Sequence, residues 1–199
     1  MPSDTETLLV QMAETMRTRH FGKYRGLVRD ISDPEDQCRI KAQVPAVYGD
    51  QDSPWAMASL PFAGDQHGLV LLPEVGDGVW IEFEGGDISR PIWSGCWFAS
   101  NQRPSPNGEK ARLLATSAGH QILIDEDADE IKLVHPGGAE VKLGSSEITL
   151  TLGSCSLKIT TSEINLNNGM AFDEIVLVQN DPDHLEHGSI RFILQGGRQ

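Results

Sequence analysis

The sequence predicts an all-β protein in two parts, a small barrel followed by a repeat of short strands, with one helix in front. Two observations carry this. Residues 20–98 hold five or six alternating apolar runs separated by turn signals every 8–12 residues, the pattern of a small barrel. Residues 119–167 hold six doublets of the form apolar, polar, apolar: Ile122/Ile124, Ile131/Leu133, Val141/Leu143, Ile148/Leu150, Leu157/Ile159 and Ile164/Leu166. Period-two alternation marks strands with one buried face, and a spacing near eight residues marks a repeat.

At the N-terminus, Leu8, Leu9, Met12 and Met16 form one stripe of a helix over residues 5–19. Acids lead it and Arg17 and Arg19 close it, as the helix dipole favours. Such a helix is expected to pack on its own domain. Strands are expected at 24–31, at 37–47 with Cys38, Ile40, Ala42 and Val44 on one face, and at 55–60, 68–72, 78–83 and 91–98. In the last of these, plain alternation puts Trp93 and Trp97 opposite Ile92 and Cys96, while Trp80 lies opposite Ile81. The composition of 101–110, with two prolines and an Asn-Gly, reads as a linker, and 101–118 is taken to separate the two parts. Two further strands are expected at 174–178 and 189–194, joined by a loop over 180–188.

The repeat cannot bury its own face. It has no aromatic residue, and it is too short for the three or so coils that a single-chain β-helix needs. Two solutions are open. The strands fold as an antiparallel meander on the preceding domain, with Pro136-Gly137-Gly138 as one turn, or several identical chains each supply one face of a shared prism. The turns at Ser145-Ser146 and Thr161-Ser162 lack the chemistry of tight hairpins, which favours the prism.

Composition narrows the function. The 199-residue chain has a formal net charge of −13, spread over both halves, which works against steering to nucleic acid or an anionic membrane. Three distant cysteines form neither a disulfide framework nor a zinc motif. No stretch resembles a signal peptide or a membrane span, so synthesis in the cytoplasm without a signal peptide is expected. No carboxylate pair and no serine elbow marks an enzyme. No cofactor is expected.

Within the barrel region stand Gly22-Lys23-Tyr24 with Gly26 and Val28, Asp33-Pro34, Val44-Pro45 and Ser53-Pro54-Trp55-Ala56. Further on come Leu71-Leu72-Pro73-Glu74-Val75-Gly76-Asp77, Phe83-Glu84-Gly85-Gly86-Asp87, Arg90-Pro91 and Gly95. This string resembles the OB-fold domain of the spike proteins of contractile injection systems. They include phage baseplate assembly protein V, the VgrG spike of type VI secretion, and the spikes of R-type pyocins and extracellular injection particles. The resemblance implies an OB-fold barrel (20–100) followed by a trimeric intertwined β-helix, or β-prism, needle (119–172), with an N-terminal helix (1–19) and terminal strands at the needle tip (173–199).

The implied function is a homotrimeric central spike, non-enzymatic, that links a hub and inner tube to the tip and pierces the target envelope. The implied partners are the hub and inner-tube proteins of a baseplate, and a PAAR-type tip protein or effector at the far end. Trp80, Trp93 and Trp97 are then expected to face symmetry mates, and Ile131, Val141, Ile148, Leu157 and Ile164 to point to a threefold axis. Some spikes of this family hold an iron ion at the tip through a His-x-His motif. His184 and His187 are spaced His-x-x-His and are only a weak metal candidate. The alternative function is an OB-fold module for oligosaccharide or single-stranded nucleic acid. The tryptophans have no accompanying basic row in the sequence, which disfavours it.

Overall fold

Alternating apolar residues make strands here, and turn chemistry decides which strands pair. The computed structural model describes residues 4–167, 170–172, 177–178 and 191–192. It divides into two units, Met1–Arg103 and Pro104–Gln199.

The first unit opens with α1 (Asp4–Thr18). It buries none of its residues, with Leu8, Leu9 and Met12 more than half exposed and Met16 80% exposed. The expectation that this helix packs on its own domain is therefore corrected: its stripe is amphipathic, but among the described residues none covers it. Next come β1 (Tyr24–Asp30), β2 (Lys41–Gln43), the short helix α2 (Pro45–Tyr48) and β3 (Met57–Ala58). A small hairpin follows, β4 (Ala63–Gly64) with β5 (His67–Gly68), then β6 (Gly78–Phe83) and β7 (Pro91–Trp97). Five strands form one sheet in the order β2-β1-β6-β7-β3, antiparallel except for the parallel β3–β7 pair.

Its core is Val28, Ile40, Ala42, Val44, Ala56, Val79, Ile81, Phe83 and Trp93. Pro45 does more than end a strand. It occupies the first turn of α2, where its missing N–H costs nothing. The expected strand at 68–72 is absent beyond Gly68: past the bond from the Leu69 N–H to the Phe62 carbonyl, no described strand pairs with the run to Leu72, which is exposed.

Polar motif residues close the loops. The Asp33 carboxylate accepts from the backbone N–H groups of Glu35, Gln37 and Arg39, and from the Arg39 guanidinium at 2.6 and 2.9 Å. The Arg39 charge and these donors hold Asp33 far below the usual carboxylate range. Ser53, buried, accepts from the Ala42 N–H through its hydroxyl and donates to the Pro54 carbonyl. At 74–77 the turn bonds back to Val28 in both directions, with Gly76 at φ +97°. Gly78 has no unusual φ. Its role is close approach, since a Cβ there would lie 2.5 Å from the Trp97 ring.

The second unit begins earlier than the repeat suggested. Ala111–Ala115 forms β8 inside the stretch 101–118 that reads as a linker by composition, because its backbone finds a full partner in β9 (Gln121–Asp125). Then follow β10 (Glu130–Val134), β11 (Ala139–Gly144), β12 (Glu147–Leu152), β13 (Cys155–Thr160), β14 (Ile164–Leu166) and β15 (Met170–Phe172). These eight strands pair strictly in sequence as one antiparallel sheet. Near the end, β16 (Leu177–Val178) pairs with β17 (Arg191–Phe192).

Candidate assembly surface

Every apolar doublet lies in one strand of the second sheet, and antiparallel pairing collects them into two columns on one face. The first column runs Ile124, Ile131, Leu143, Ile148, Ile159, Ile164 by direct cross-strand partnership. The second runs Leu114, Ile122, Leu133, Val141, Leu150, Leu157, Leu166. In the single chain this face is open: Ile122, Ile124, Ile131, Leu133, Leu143, Ile148 and Leu150 are 40–48% exposed. Contiguous aliphatic surface of this extent marks an interaction surface.

Ile131, Val141, Ile148, Leu157 and Ile164 all lie on this face, but not in one row. They alternate between the columns, because each strand runs opposite to the last and the first residue of a doublet meets the second of its neighbour. Leu114 stands outside the doublet pattern of the sequence because its partner position holds Arg112.

The reverse face is ionic. Glu130 pairs with Lys132 and, at 3.4 Å, with Lys142; Lys142 reaches Glu147 at 3.9 Å, and Glu147 pairs with Lys158 at 2.5 Å. The five side chains make a ladder of alternating sign across four strands. Lys132 and Lys142 hold the Glu130 carboxyl below its usual range, and Lys158 does the same for Glu147. Leu113 and Leu123 share this face with the ladder, and Leu123 is only 5% exposed.

Turns that looked poor for hairpins are closed by side chains at strand ends. The Thr160 hydroxyl accepts from the N–H groups of Ser162 and Glu163. Asp125 accepts from Asp127 and Ala128, His135 from Gly137, and the Thr116 hydroxyl from the N–H of His120. Gly153, at φ +58°, starts the β12–β13 turn. The reading that such turns disfavour hairpins is therefore corrected, since Asp and Thr acceptors substitute for Asn-Gly. A meander within the chain and a prism face between chains are compatible: one chain makes the sheet, and its aliphatic face remains to be covered.

In the barrel the tryptophans separate. Trp93 is 3% exposed and donates from its indole to the Cys38 carbonyl, so its assignment to an intermolecular face is corrected. Between the Val79–Cys96 and Ile81–Trp93 pairs, β7 holds one extra residue, and Gly95 there has φ +107°. This bulge inverts the alternation, putting Trp93 inside and Trp97 outside. Trp80 and Trp97 stay half-buried on the outer face, with the Arg25 guanidinium 5.7 Å from one ring and 5.2 Å from the other. Lys41 and Arg39 lie 4.8 and 5.9 Å from Trp55. Basic residues therefore do accompany the tryptophans, from across strands rather than along them. His184 and His187 lie outside the described residues. Among the described residues no group of three metal-ligating side chains occurs, and no helix is long and apolar enough to cross a membrane.

Residues 24–98 match the type VI secretion system/phage-baseplate injector OB domain, and residues 111–171 match the phage baseplate V C-terminal trimerisation domain. The chain belongs to the baseplate V/VgrG-like spike family. The OB match falls on the five-stranded sheet, and the trimerisation match spans the sheet that bears the aliphatic columns. The chain is also similar to a protein of Vibrio cholerae serotype O1 (strain ATCC 39541 / Classical Ogawa 395 / O395) called actin cross-linking toxin VgrG1. The two are 31% identical over 93 residues, 46% of this chain and 8% of that protein. In architecture this spike chain is all-β, with an OB domain and a trimerisation sheet.

Proposed function

We propose that the protein is the central spike of a contractile injection apparatus. As a homotrimer it would join the hub and inner tube to the tip and pierce the target envelope on contraction. The observation that carries this reading is the pair of unbroken aliphatic columns on a sheet whose family is one of trimerisation. Three such faces turned inward make a dry prism core, and contacts between chains would cover the sheet edges at β8 and β15. Load along the needle is then shared by many ladder hydrogen bonds. The role is structural. The cross-linking activity in the Vibrio protein's name belongs to that protein, of which this chain matches a small part. The spike would be made in the cytoplasm and leave as part of the particle, with Trp80 and Trp97 facing sister copies and a tip protein or effector at the far end.

The test is assembly. Cells that produce the particle should build sheathed particles with this chain and incomplete baseplates without it. Sheathed, tube-filled particles formed in its absence would contradict the role.

The Arg25, Trp80 and Trp97 cluster is the one observation that favours an oligonucleotide-binding barrel. Against it, Arg39 is committed to Asp33 and the chain carries −13 charges. Retention of labelled single-stranded DNA by the purified protein on a filter would support this second reading; no retention is expected.

A further inference from the structure

A second interaction surface lies in the barrel. Residues 61–75 form an arm around the β4–β5 hairpin. Leu69 and Leu71 line a cleft against Trp93 and Cys96 of their own barrel. The other side of the arm is open, with Phe62 56%, Val70 58% and Val75 60% exposed. The arm holds acids and no Lys or Arg. Asp65 sits at its tip and makes no ion pair among the described residues.

The outer face of β1, β6 and β7 has the complementary character. Leu27 is 43% exposed there, beside half-buried Trp80 and Trp97. Arg25 stands between the two indoles, and among the described residues no carboxylate lies within ion-pair distance of it. Arg25 is exposed in the single chain, and an exposed guanidinium beside aromatic rings is a docking point for an acidic, apolar segment that excludes water from it.

Trimer symmetry demands two such patches. Away from the threefold axis of a cyclic trimer, each contact joins two different patches, one from each neighbour, and the ring closes when every copy offers both. This barrel offers an apolar arm with an acidic tip, and an aromatic face with an unpaired arginine. We infer that the arm of one copy lies across the Arg25–Leu27–Trp80–Trp97 face of the next, so that the three barrels form a closed head-to-tail ring. The inference rests on the trimer reading and names the partner segment for the tryptophan face. Holding three barrels near one axis through the C-terminal sheets raises their local concentration to the millimolar range that makes a modest contact sufficient.

The test uses the full chain carrying Val70→p-benzoylphenylalanine, with light scattering and photo-crosslinking on the same sample. The expected result is a trimer that, after irradiation, runs as covalent dimers and trimers in denaturing gels. The cross-linked peptides should come from residues 24–29, 78–83 or 97–98 of another copy. Adding Arg25→Glu should reduce the cross-linked fraction several-fold while the mass stays that of a trimer. A trimer that yields no intermolecular cross-link, or one mapping to another segment, overturns the ring and leaves the trimer reading standing. A monomer overturns both. An undiminished yield with Arg25→Glu overturns the docking face.

Discussion

Trp93 and Trp97 are four residues apart in one strand and do opposite things. The Gly95 bulge is the reason, and alternation alone could not reveal it, because a single extra residue inverts every face assignment beyond it. Trp93→Ala removes a side chain only 3% exposed and should destabilise the barrel by about 3–5 kcal/mol in denaturant unfolding. Gly78→Ala forces a Cβ to within 2.5 Å of the Trp97 ring. It should cost about 1–3 kcal/mol and shift the tryptophan emission, whereas an unchanged spectrum would mean that Trp97 does not lie against β6.

Asp33 gives a pH-dependent prediction at the same scale. Its carboxyl is held well below the ordinary range by Arg39, so its contribution to folding is complete above about pH 4 and declines as pH falls from there toward the depressed value. The stability difference between wild type and Asp33→Asn should therefore shrink steadily from about pH 4 to pH 2.5 in thermal melts. A difference that stays constant over that range would show that the Asp33–Arg39 pairing is not what stabilises the loop.

At the scale of elements, the six doublets announced their strands because period two survives any turn. The register and the rows were hidden, since they depend on strand direction and on side chains such as Thr160 and Asp125 closing the turns. β8 was hidden because Arg112 interrupts its doublet, and the helix stripe at Leu8 to Met16 could be seen without showing what covers it. The ion-pair ladder opposite the aliphatic columns is likewise a product of register, as Glu130 and Lys142 belong to different strands. The Lys142 side chain is 33% exposed, so Lys142→Ala should cost about 1 kcal/mol. That cost should fall further in 1 M salt, where charges are screened. A loss that is larger, or independent of salt, would mean that the ladder is buried between chains.

At the scale of the molecule, one chain leaves an aliphatic sheet face uncovered, and the proposed trimer covers it. Closing the prism moves each half-exposed Ile and Leu of the columns out of water. A fully buried side chain of this size is worth about 1.5–3 kcal/mol, so the columns supply much of the driving force for assembly. Ile148 stands mid-column between Leu143 and Ile159. A carboxylate there, repeated three times about the axis, would have to be desolvated without a partner. The direct measurement is molar mass by light scattering, for the wild-type chain and for Ile148→Asp. Wild type should give three times the chain mass at every concentration down to the nanomolar range, and Ile148→Asp should give a single chain. A monomeric wild type, or an Ile148→Asp variant that still forms a trimer through residues 111–171, would contradict the assignment of this face to the threefold axis.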